Sequence, residues 1–203
     1  MRKLKDIPPM PRTILVADDE HLVATGLCAS LRQIGFTALE PANDGRAAIE
    51  LCRSYRPDLA LLDINMPNVN GIDAAKSIYK ELEIPVIIFS AFSDAEFIVS
   101  TNRIGVFGYL LKPVSQDQLR AGITIGWGRY LDHMQLGAEV EDLASRLEAR
   151  KIIEQAKWVL VKRRGIEEPE AMRLLQRQAR NNRRPLLEVA QSLLDGEDLL
   201  RGG

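Results

Sequence analysis

Apolar residues follow two different spacings over the first 120 residues of the chain. Short apolar runs predict buried strands, and apolar residues three and four positions apart predict helices. The predicted strands are Thr13–Ala17, Phe36–Glu40, Leu59–Leu62, Val86–Phe89 and Val106–Leu111. The predicted helices are His21–Ile34, Gly45–Tyr55, Ile72–Leu82, Asp94–Arg103 and one that starts at Ser115. Five such strand–helix repeats predict an α/β domain, a doubly wound (βα)5 parallel sheet covered on both faces.

Polar side chains follow the predicted strands. Asp18 and Asp19 follow the first strand, Asp63 the third, Ser90 the fourth and Lys112 the fifth. Because the carboxyl ends of parallel strands meet at one edge, these groups should converge. A lone aspartate at a strand end is more often a helix cap, but the joint spacing favours a site.

Clustered carboxylates repel one another unless they share a cation, and Mg²⁺ prefers hard oxygen ligands. A carboxylate beside such an ion can attack a phosphoryl group and form an aspartyl phosphate. Lys112 would then neutralise one phosphoryl oxygen, and Ser90 would hydrogen-bond another. The spacing therefore predicts phosphoryl chemistry at this edge of the sheet.

Residues 13–120 resemble the receiver domain of two-component response regulators. The matching motifs are the pair Asp18-Asp19, LLDINMPNVNG around Asp63, FSA with Ser90, and YLLKP with Tyr109 and Lys112. The resemblance implies that Asp63 accepts a phosphoryl group from a sensor histidine kinase and loses it slowly. The chain would thus modify its own aspartate and would not be an enzyme in the ordinary sense.

The resemblance also implies roles for the neighbouring residues. Asp19 and Asp63 would hold Mg²⁺ together with the carbonyl of Asn65, and Asp18 would act mainly through water. Ser90 and Tyr109 would form a coupled switch pair that reports phosphorylation to the surface. Asn65 and Phe92 would flank the path of the hydrolytic water.

A long helix is predicted to leave this domain. Leu136, Val140, Leu143 and Leu147 recur at intervals of four, three and four, which is the seam of a short coiled coil. The seam predicts a homodimer, formed through the coiled coil or through the receiver surface. The alternative is an amphipathic helix that packs on its own domain.

Residues 150–195 predict three short amphipathic helices. The first is the tail of the long helix and ends near Gly165, the second starts at Glu168-Pro169, and the third starts near Pro185. Residues 150–184 hold eleven basic and four acidic residues, in a chain whose net charge is −1. This block predicts a surface for an anionic partner, with a solvated face as the alternative. Three such helices could bind DNA, bind RNA or bind neither.

The segment RKIIEQAKWVLVKRRGIEEPEAMRLLQRQARNNRRPLLEVAQSLL resembles the ANTAR domain, an RNA-binding module of antitermination regulators. The shared features are IEQAK, the turn at Gly165–Ala171, LLxRxA at Leu174–Ala179 and NxRxLxEVA at Asn182–Ala190. The resemblance implies binding to RNA hairpins in nascent leader transcripts, which prevents terminator formation. The expected RNA-contacting residues are Ala156, by close approach, and Lys157, Arg177, Arg180, Arg183 and Arg184, at phosphates and loop bases.

Two positions depart from the ANTAR pattern. Trp158 stands where the family usually has glycine, and Arg180 stands where it usually has methionine. Arg180 adds positive charge. Trp158 either blocks the RNA, offers a stacking face for a base, or packs against the protein itself.

The predicted organisation has five parts. They are an N-terminal tail (1–12), a receiver domain (13–126), a helical or coiled-coil linker (127–149), an ANTAR-like three-helix domain (150–195) and a C-terminal tail (196–203). The predicted function is a response regulator whose phosphorylation controls RNA binding and transcription antitermination. The alternatives are a DNA-binding response regulator and a protein-interaction phosphorelay regulator that binds no nucleic acid.

Composition indicates the compartment. The chain has 203 residues, 46% of them hydrophobic and 27% charged, which is typical of a globular protein. No stretch approaches the roughly 18 apolar residues of a membrane span, and MRKLKDIPPMPR lacks the apolar core of a secretory signal. The only cysteines, Cys28 and Cys52, exclude a disulfide-rich scaffold, and the two histidines leave little for a histidine metal site. We expect a cytoplasmic protein with no membrane partner.

Overall fold

The computed structural model describes residues 10–91 and 105–201, with side chains described as far as residue 196. The strands are β1 (Thr13–Ala17), β2 (Thr37–Ala38), β3 (Leu59–Leu62), β4 (Val86–Ser90) and β5 (Val106–Leu111). The helices are α1 (His21–Gln33), α2 (Gly45–Tyr55), α3 (Gly71–Leu82), α4 (Gln116–Arg164), α5 (Glu168–Asn182) and α6 (Leu186–Arg201). The predicted helix Asp94–Arg103 and Phe92 lie outside the described residues.

The five strands form one parallel sheet in the order β2-β1-β3-β4-β5, which confirms the predicted sheet. Ala17 pairs with Leu62, so β1 and β3 end side by side at the centre of the sheet. In a doubly wound sheet of this order, the ligand site lies beyond the carboxyl ends of the central strands. The topology therefore brings the residues after β1 and β3 together.

Strand β2 is shorter than the predicted Phe36–Glu40. Only Thr37 and Ala38 pair continuously with β1, and contact with β1 returns at an isolated bridge between Ala17 and Ala42. Pro41 lies between these two contacts and has no N–H to donate to a strand ladder. Pro41 therefore ends the continuous pairing, and at the other end the N–H of Phe36 donates to the carbonyl of Leu31 at 3.0 Å. The prediction of a five-residue strand was wrong for these reasons.

Both faces of the sheet are covered. Successive residues of β1 point to opposite faces, so Ile14 and Val16 enter one core while Leu15 and Ala17 enter the other. The first core is closed by α1 and α4, and the second by α2 and α3. This confirms the predicted doubly wound arrangement.

The chain forms two compact units, Met1–Leu136 and Gly137–Gly203. Trp127 and Tyr130 on α4 are fully buried in the first core of the first unit. The predicted boundary between residues 126 and 127 therefore falls inside this unit. This compact unit thus includes residues 127–136 of the segment that was predicted to be a linker.

The second unit packs three helices around a small apolar centre. Ala156 of α4, Leu175 of α5 and Ala190 of α6 form its buried centre. Gly165 has φ +63° and Arg183 has φ 51°, so α4 and α5 both end at left-handed residues. Pro169 in the first turn of α5 fits the start of a helix, because the first N–H groups have no partner within the helix. No helix in the described part of the chain is long and apolar enough to cross a bilayer.

Candidate functional site

Three carboxylates meet at the carboxyl ends of the central strands. Asp18 and Asp19 follow β1 directly, and Asp63 follows β3. One oxygen from each lies within 4.8 Å of the others. Asp18 and Asp63 are buried, whereas Asp19 is exposed. The structure thus brings together the three acids that the sequence placed at this edge.

Lys112 supplies positive charge to this cluster. Its Nζ lies 2.6 Å from Asp18 Oδ2 and 3.0 Å from Asp63 Oδ1, and its side chain is 15% exposed. Burial by itself lowers the pKa of Lys112, but the hydrogen bonds to Asp18 and Asp63 outweigh it and raise the pKa above its ordinary value. Lys112 is therefore charged at neutral pH and bridges two buried carboxylates.

The loop after β3 holds Asp63 in place. The N–H of Asp63 donates to the carbonyl of Ala17 at 2.9 Å, and the N–H of Asn65 donates to Asp63 Oδ2 at 2.8 Å. A Cβ at Gly71 would lie 1.8 Å from the Asp63 carbonyl oxygen, so only glycine allows α3 to start this close to the strand end. Both oxygens of the Asp63 carboxylate therefore have a polar neighbour, Lys112 on one side and Asn65 on the other.

The carboxylate cluster fits a small divalent cation. Oxygens bound to one octahedral Mg²⁺ lie at most about 4.2 Å apart. The spread of 4.8 Å among Asp18, Asp19 and Asp63 is close to that limit. Three formal negative charges face one ammonium, so the cluster has negative charge that a cation can neutralise.

The two residues of the predicted switch pair lie on neighbouring strands. Ser90 ends β4 and is fully buried, and Tyr109 of β5 is half-buried. Tyr109 pairs with Ile88, two residues before Ser90, so the side chains of Ser90 and Tyr109 lie on the same face of the sheet. The N–H of Lys112 donates to the carbonyl of Ser90 at 2.9 Å, which links β4 directly to the Lys112 backbone.

Four of the predicted RNA-contacting residues lie on the surface of the second unit. Arg177 and Arg180 are exposed on the side of α5 opposite its buried Leu175. Arg183 and Arg184 are exposed in the turn after α5, and Arg184 pairs with Glu188 at 3.1 Å. These four guanidinium groups can contact an anionic partner.

The other two predicted RNA-contacting residues are placed differently. Ala156 is fully buried between the three helices, so its prediction as an RNA contact was wrong. Lys157 is also buried, and its Nζ lies 2.7 Å from Glu154 Oε2 and 2.5 Å from Glu168 Oε1. Glu154, and then Glu168, raise the pKa of Lys157 above its ordinary value. Lys157 therefore ties α4 to the start of α5 and does not present a free charge to RNA.

Sequence reasoning missed a cavity of about 290 Å³ between α4, α5 and α6. Its apolar lining consists of Leu160, Leu174, Leu175, Val189 and Leu193, and its polar lining of Arg164, Gln178, Asn182, Arg184 and Ser192. Residues on three helices contribute to it. No single helical pattern in the sequence could have indicated it.

Two family models match the chain. The response regulator receiver domain matches residues 14–124, and the ANTAR domain matches residues 141–194, starting before the predicted residue 150. The chain belongs to the response regulators that carry a receiver domain followed by an ANTAR domain. The prediction of both families is confirmed.

Among curated relatives, the transcriptional regulatory protein PdtaR of Mycobacterium tuberculosis is 36% identical over 186 residues, which cover 92% of this chain and 91% of PdtaR. The regulatory protein AtoC of Escherichia coli is 38% identical over 107 residues, 52% of this chain and 23% of AtoC. Among solved structures, the receiver domain of NarL from Mycobacterium tuberculosis covers 59% of this chain and 99% of its own, with a TM-score of 0.54 and 29% identity. The receiver domain of the Francisella response regulator 1452 has a TM-score of 0.53 and 32% identity over 59% of this chain and 98% of its own.

Proposed function

We propose that phosphorylation of Asp63 by a sensor histidine kinase controls binding of the ANTAR domain to hairpin RNA in nascent leader transcripts, and thereby transcription termination. The observation that carries this proposal is that a complete carboxylate–lysine cluster and an ANTAR domain occur in one chain. The similarity to PdtaR, a transcriptional regulatory protein by name, extends over both parts. The function is regulatory, because the reaction modifies the chain's own aspartate.

In the receiver domain, the carboxylate of Asp63 attacks the phosphorus of the kinase phosphohistidine. A P–O bond forms while the P–N bond breaks, and the histidine leaves, taking a proton from water to become neutral imidazole. Asp19, Asp63 and the carbonyl of Asn65 would hold Mg²⁺, with Asp18 acting mainly through water, and the ion would supply charge neutralisation when bound. Lys112 then transfers its ammonium contact from the carboxylate to a phosphoryl oxygen. Ser90 hydrogen-bonds another phosphoryl oxygen. The side chain of Tyr109, on the neighbouring strand, then moves with Ser90 as the second member of the switch pair.

In the ANTAR domain, the arginines of α5 and its following turn contact the RNA. Arg177 and Arg180 point away from the core, and Arg183 and Arg184 extend the positive charge beyond the helix. Phosphate contacts of this kind give affinity that depends on salt, whereas unpaired loop bases give sequence recognition. A folded hairpin offers both.

Selection from a pool of two-hairpin RNAs with randomised loops tests this function. In the presence of Mg²⁺ and acetyl phosphate, we expect enrichment of RNAs that bind at least tenfold better than scrambled RNA or duplex DNA. Arg180→Ala should weaken binding and reduce the salt slope by about 1, because one phosphate contact is lost. Arg53→Ala is the matched control, because Arg53 is exposed on the other unit and pairs with Glu81 at 2.6 Å.

Other outcomes would contradict this function in distinct ways. Preferential binding of duplex DNA would favour a DNA-binding response regulator. Failure to enrich any RNA, with equally weak binding to all nucleic acids, would favour a regulator that acts through protein contacts.

The seam on α4 supports a dimeric active form. Leu136, Val140, Leu143 and Leu147 are 59–68% exposed, although all four are large apolar residues. A second copy of the chain would cover them with the same seam, as in a coiled coil. We propose that phosphorylation shifts the population toward this homodimer, which places two ANTAR domains on one RNA.

Sedimentation with and without acetyl phosphate tests the dimer. We expect the phosphodonor to raise the dimer fraction, and Leu143→Glu to keep the chain monomeric because it places a charge in the apolar seam. Ser145→Glu adds the same charge on the opposite side of α4 and should leave dimerisation unchanged. A wild-type chain that stays monomeric at every concentration with the donor would contradict the proposal.

A further inference from the structure

Trp158 is a large aromatic side chain that the core of its unit does not cover. It is 55% exposed on α4, whereas Trp127, the other tryptophan of the chain, is 1% exposed. The neighbouring Ala156 and Lys157 face the core, and a turn of 100° per residue directs Trp158 away from it. Packing within the unit therefore does not account for this side chain.

The coiled-coil seam does not account for Trp158 either. Continuing the alternation of three and four residues beyond Leu147 reaches Arg150, Glu154 and Lys157. All three are charged, so the apolar seam ends at Leu147. Trp158 lies beyond this charged interruption and outside the repeat.

The surface around Trp158 is mainly cationic. Lys151 lies seven residues before Trp158, Gln155 lies three before it, and Lys162 lies four after it. All three side chains are exposed on the same side of the helix as Trp158. Lys151 lies 3.8 Å from Glu148, while Lys162 pairs with no acid in the described part of the chain. Glu154, the nearby acid, is already paired with Lys157 at 2.7 Å. An exposed indole beside unpaired positive charge is a platform for an unpaired nucleotide, whose base stacks while its phosphate meets the cation.

We propose that Trp158 stacks on an unpaired base of the bound RNA, with Lys162 at a neighbouring phosphate. The inference rests on the proposed RNA-binding function and adds a specificity-determining contact to it. Every base has a face that can stack, so Trp158 selects unpaired over paired nucleotides and does not select a base. It therefore favours hairpin loops over duplex.

Three substitutions in the full chain separate stacking from simple apolar contact. With an RNA enriched from the randomised-loop pool, Trp158→Ala and Trp158→Leu should weaken binding roughly 5- to 100-fold. Trp158→Phe retains an aromatic face and should stay within about threefold of the wild type. RNA should quench the tryptophan emission of the wild type but leave Trp158→Phe unchanged, because that variant retains only the buried Trp127.

A series of RNAs with one abasic site at each loop position identifies the stacked base. At one loop position, the abasic site should weaken RNA binding by the wild type by the same factor as the Trp158→Ala substitution does. The same abasic site should not weaken RNA binding by Trp158→Ala further. If the wild type binds no RNA, the proposed function fails. If the wild type, Trp158→Leu and Trp158→Phe bind RNA equally, and RNA does not quench the emission of the wild type, the stacking proposal alone is overturned. If Trp158 emission changes with protein concentration in the absence of RNA, the surface is instead a contact between copies, which also overturns it.

Discussion

Asp63→Asn should abolish phosphate incorporation from acetyl phosphate. The amide keeps the shape of the side chain and its contact with Asn65, but it lacks the carboxylate nucleophile. Asp73→Asn is the matched control, because Asp73 is exposed in the first turn of α3 and bonded to Lys76 at 3.1 Å. The control should incorporate phosphate as the wild type does. Intact-protein mass measurement with excess donor and Mg²⁺ gives the stoichiometry.

The same variant tests whether phosphorylation is coupled to RNA binding. Asp63→Asn should bind RNA at the level of the wild type without donor, and acetyl phosphate should no longer strengthen it. Incorporation of phosphate into Asp63→Asn at another aspartate would contradict the choice of acceptor. A donor effect that persists without incorporation would contradict the coupling.

Strand ends explain why the receiver site could be predicted from the sequence. Buried runs such as Leu59–Leu62 mark where each parallel strand ends, and the topology then brings Asp18, Asp63 and Lys112 to one edge. The sharing of Lys112 between two carboxylates depends on side-chain placement, which no strand pattern specifies. The extent of β2 was missed because two paired residues leave too little periodicity in the sequence.

The ANTAR residues show where family resemblance was less informative. Ala156 lies among Ile152, Ile153 and Leu160, an apolar pattern that already indicated burial. Glu154, three residues before Lys157, could have indicated the ion pair, since residues at this spacing are neighbours on a helix. The contact with Glu168 joins two helices, and only the packing of α4 against α5 reveals it.

Lys112→Met should destabilise the metal-free protein. The substitution keeps an unbranched apolar side chain but removes the ammonium that bridges Asp18 and Asp63. Breaking a buried pair by removing one partner typically costs about 3–5 kcal/mol in free energy of unfolding. The Lys112 side chain is 15% exposed, so solvent screens part of this, and we expect a loss of about 2–3 kcal/mol.

Mg²⁺ should restore most of that stability, because a divalent cation can neutralise the carboxylates that the ammonium leaves behind. In the wild type, Mg²⁺ and the Lys112 ammonium compete for the same carboxylate oxygens. Lys112→Met should therefore bind Mg²⁺ more tightly than the wild type does. A tenfold gain in affinity adds about 1.4 kcal/mol of stability at saturating metal. The wild type should therefore gain less from Mg²⁺ than the variant does.

Urea unfolding in EDTA and in saturating Mg²⁺ measures both effects, with Trp158→Phe as the common background so that the emission comes from the buried Trp127. Lys76→Met is the control, because its pair with Asp73 is exposed and should contribute less than about 1 kcal/mol, with or without metal. Equal stability of Lys112→Met and wild type in EDTA would mean that the ammonium does not compensate the carboxylates. A loss that Mg²⁺ does not reverse would instead assign the effect to the contact of Lys112 with the Phe89 ring, 5.2 Å from Nζ to its centroid.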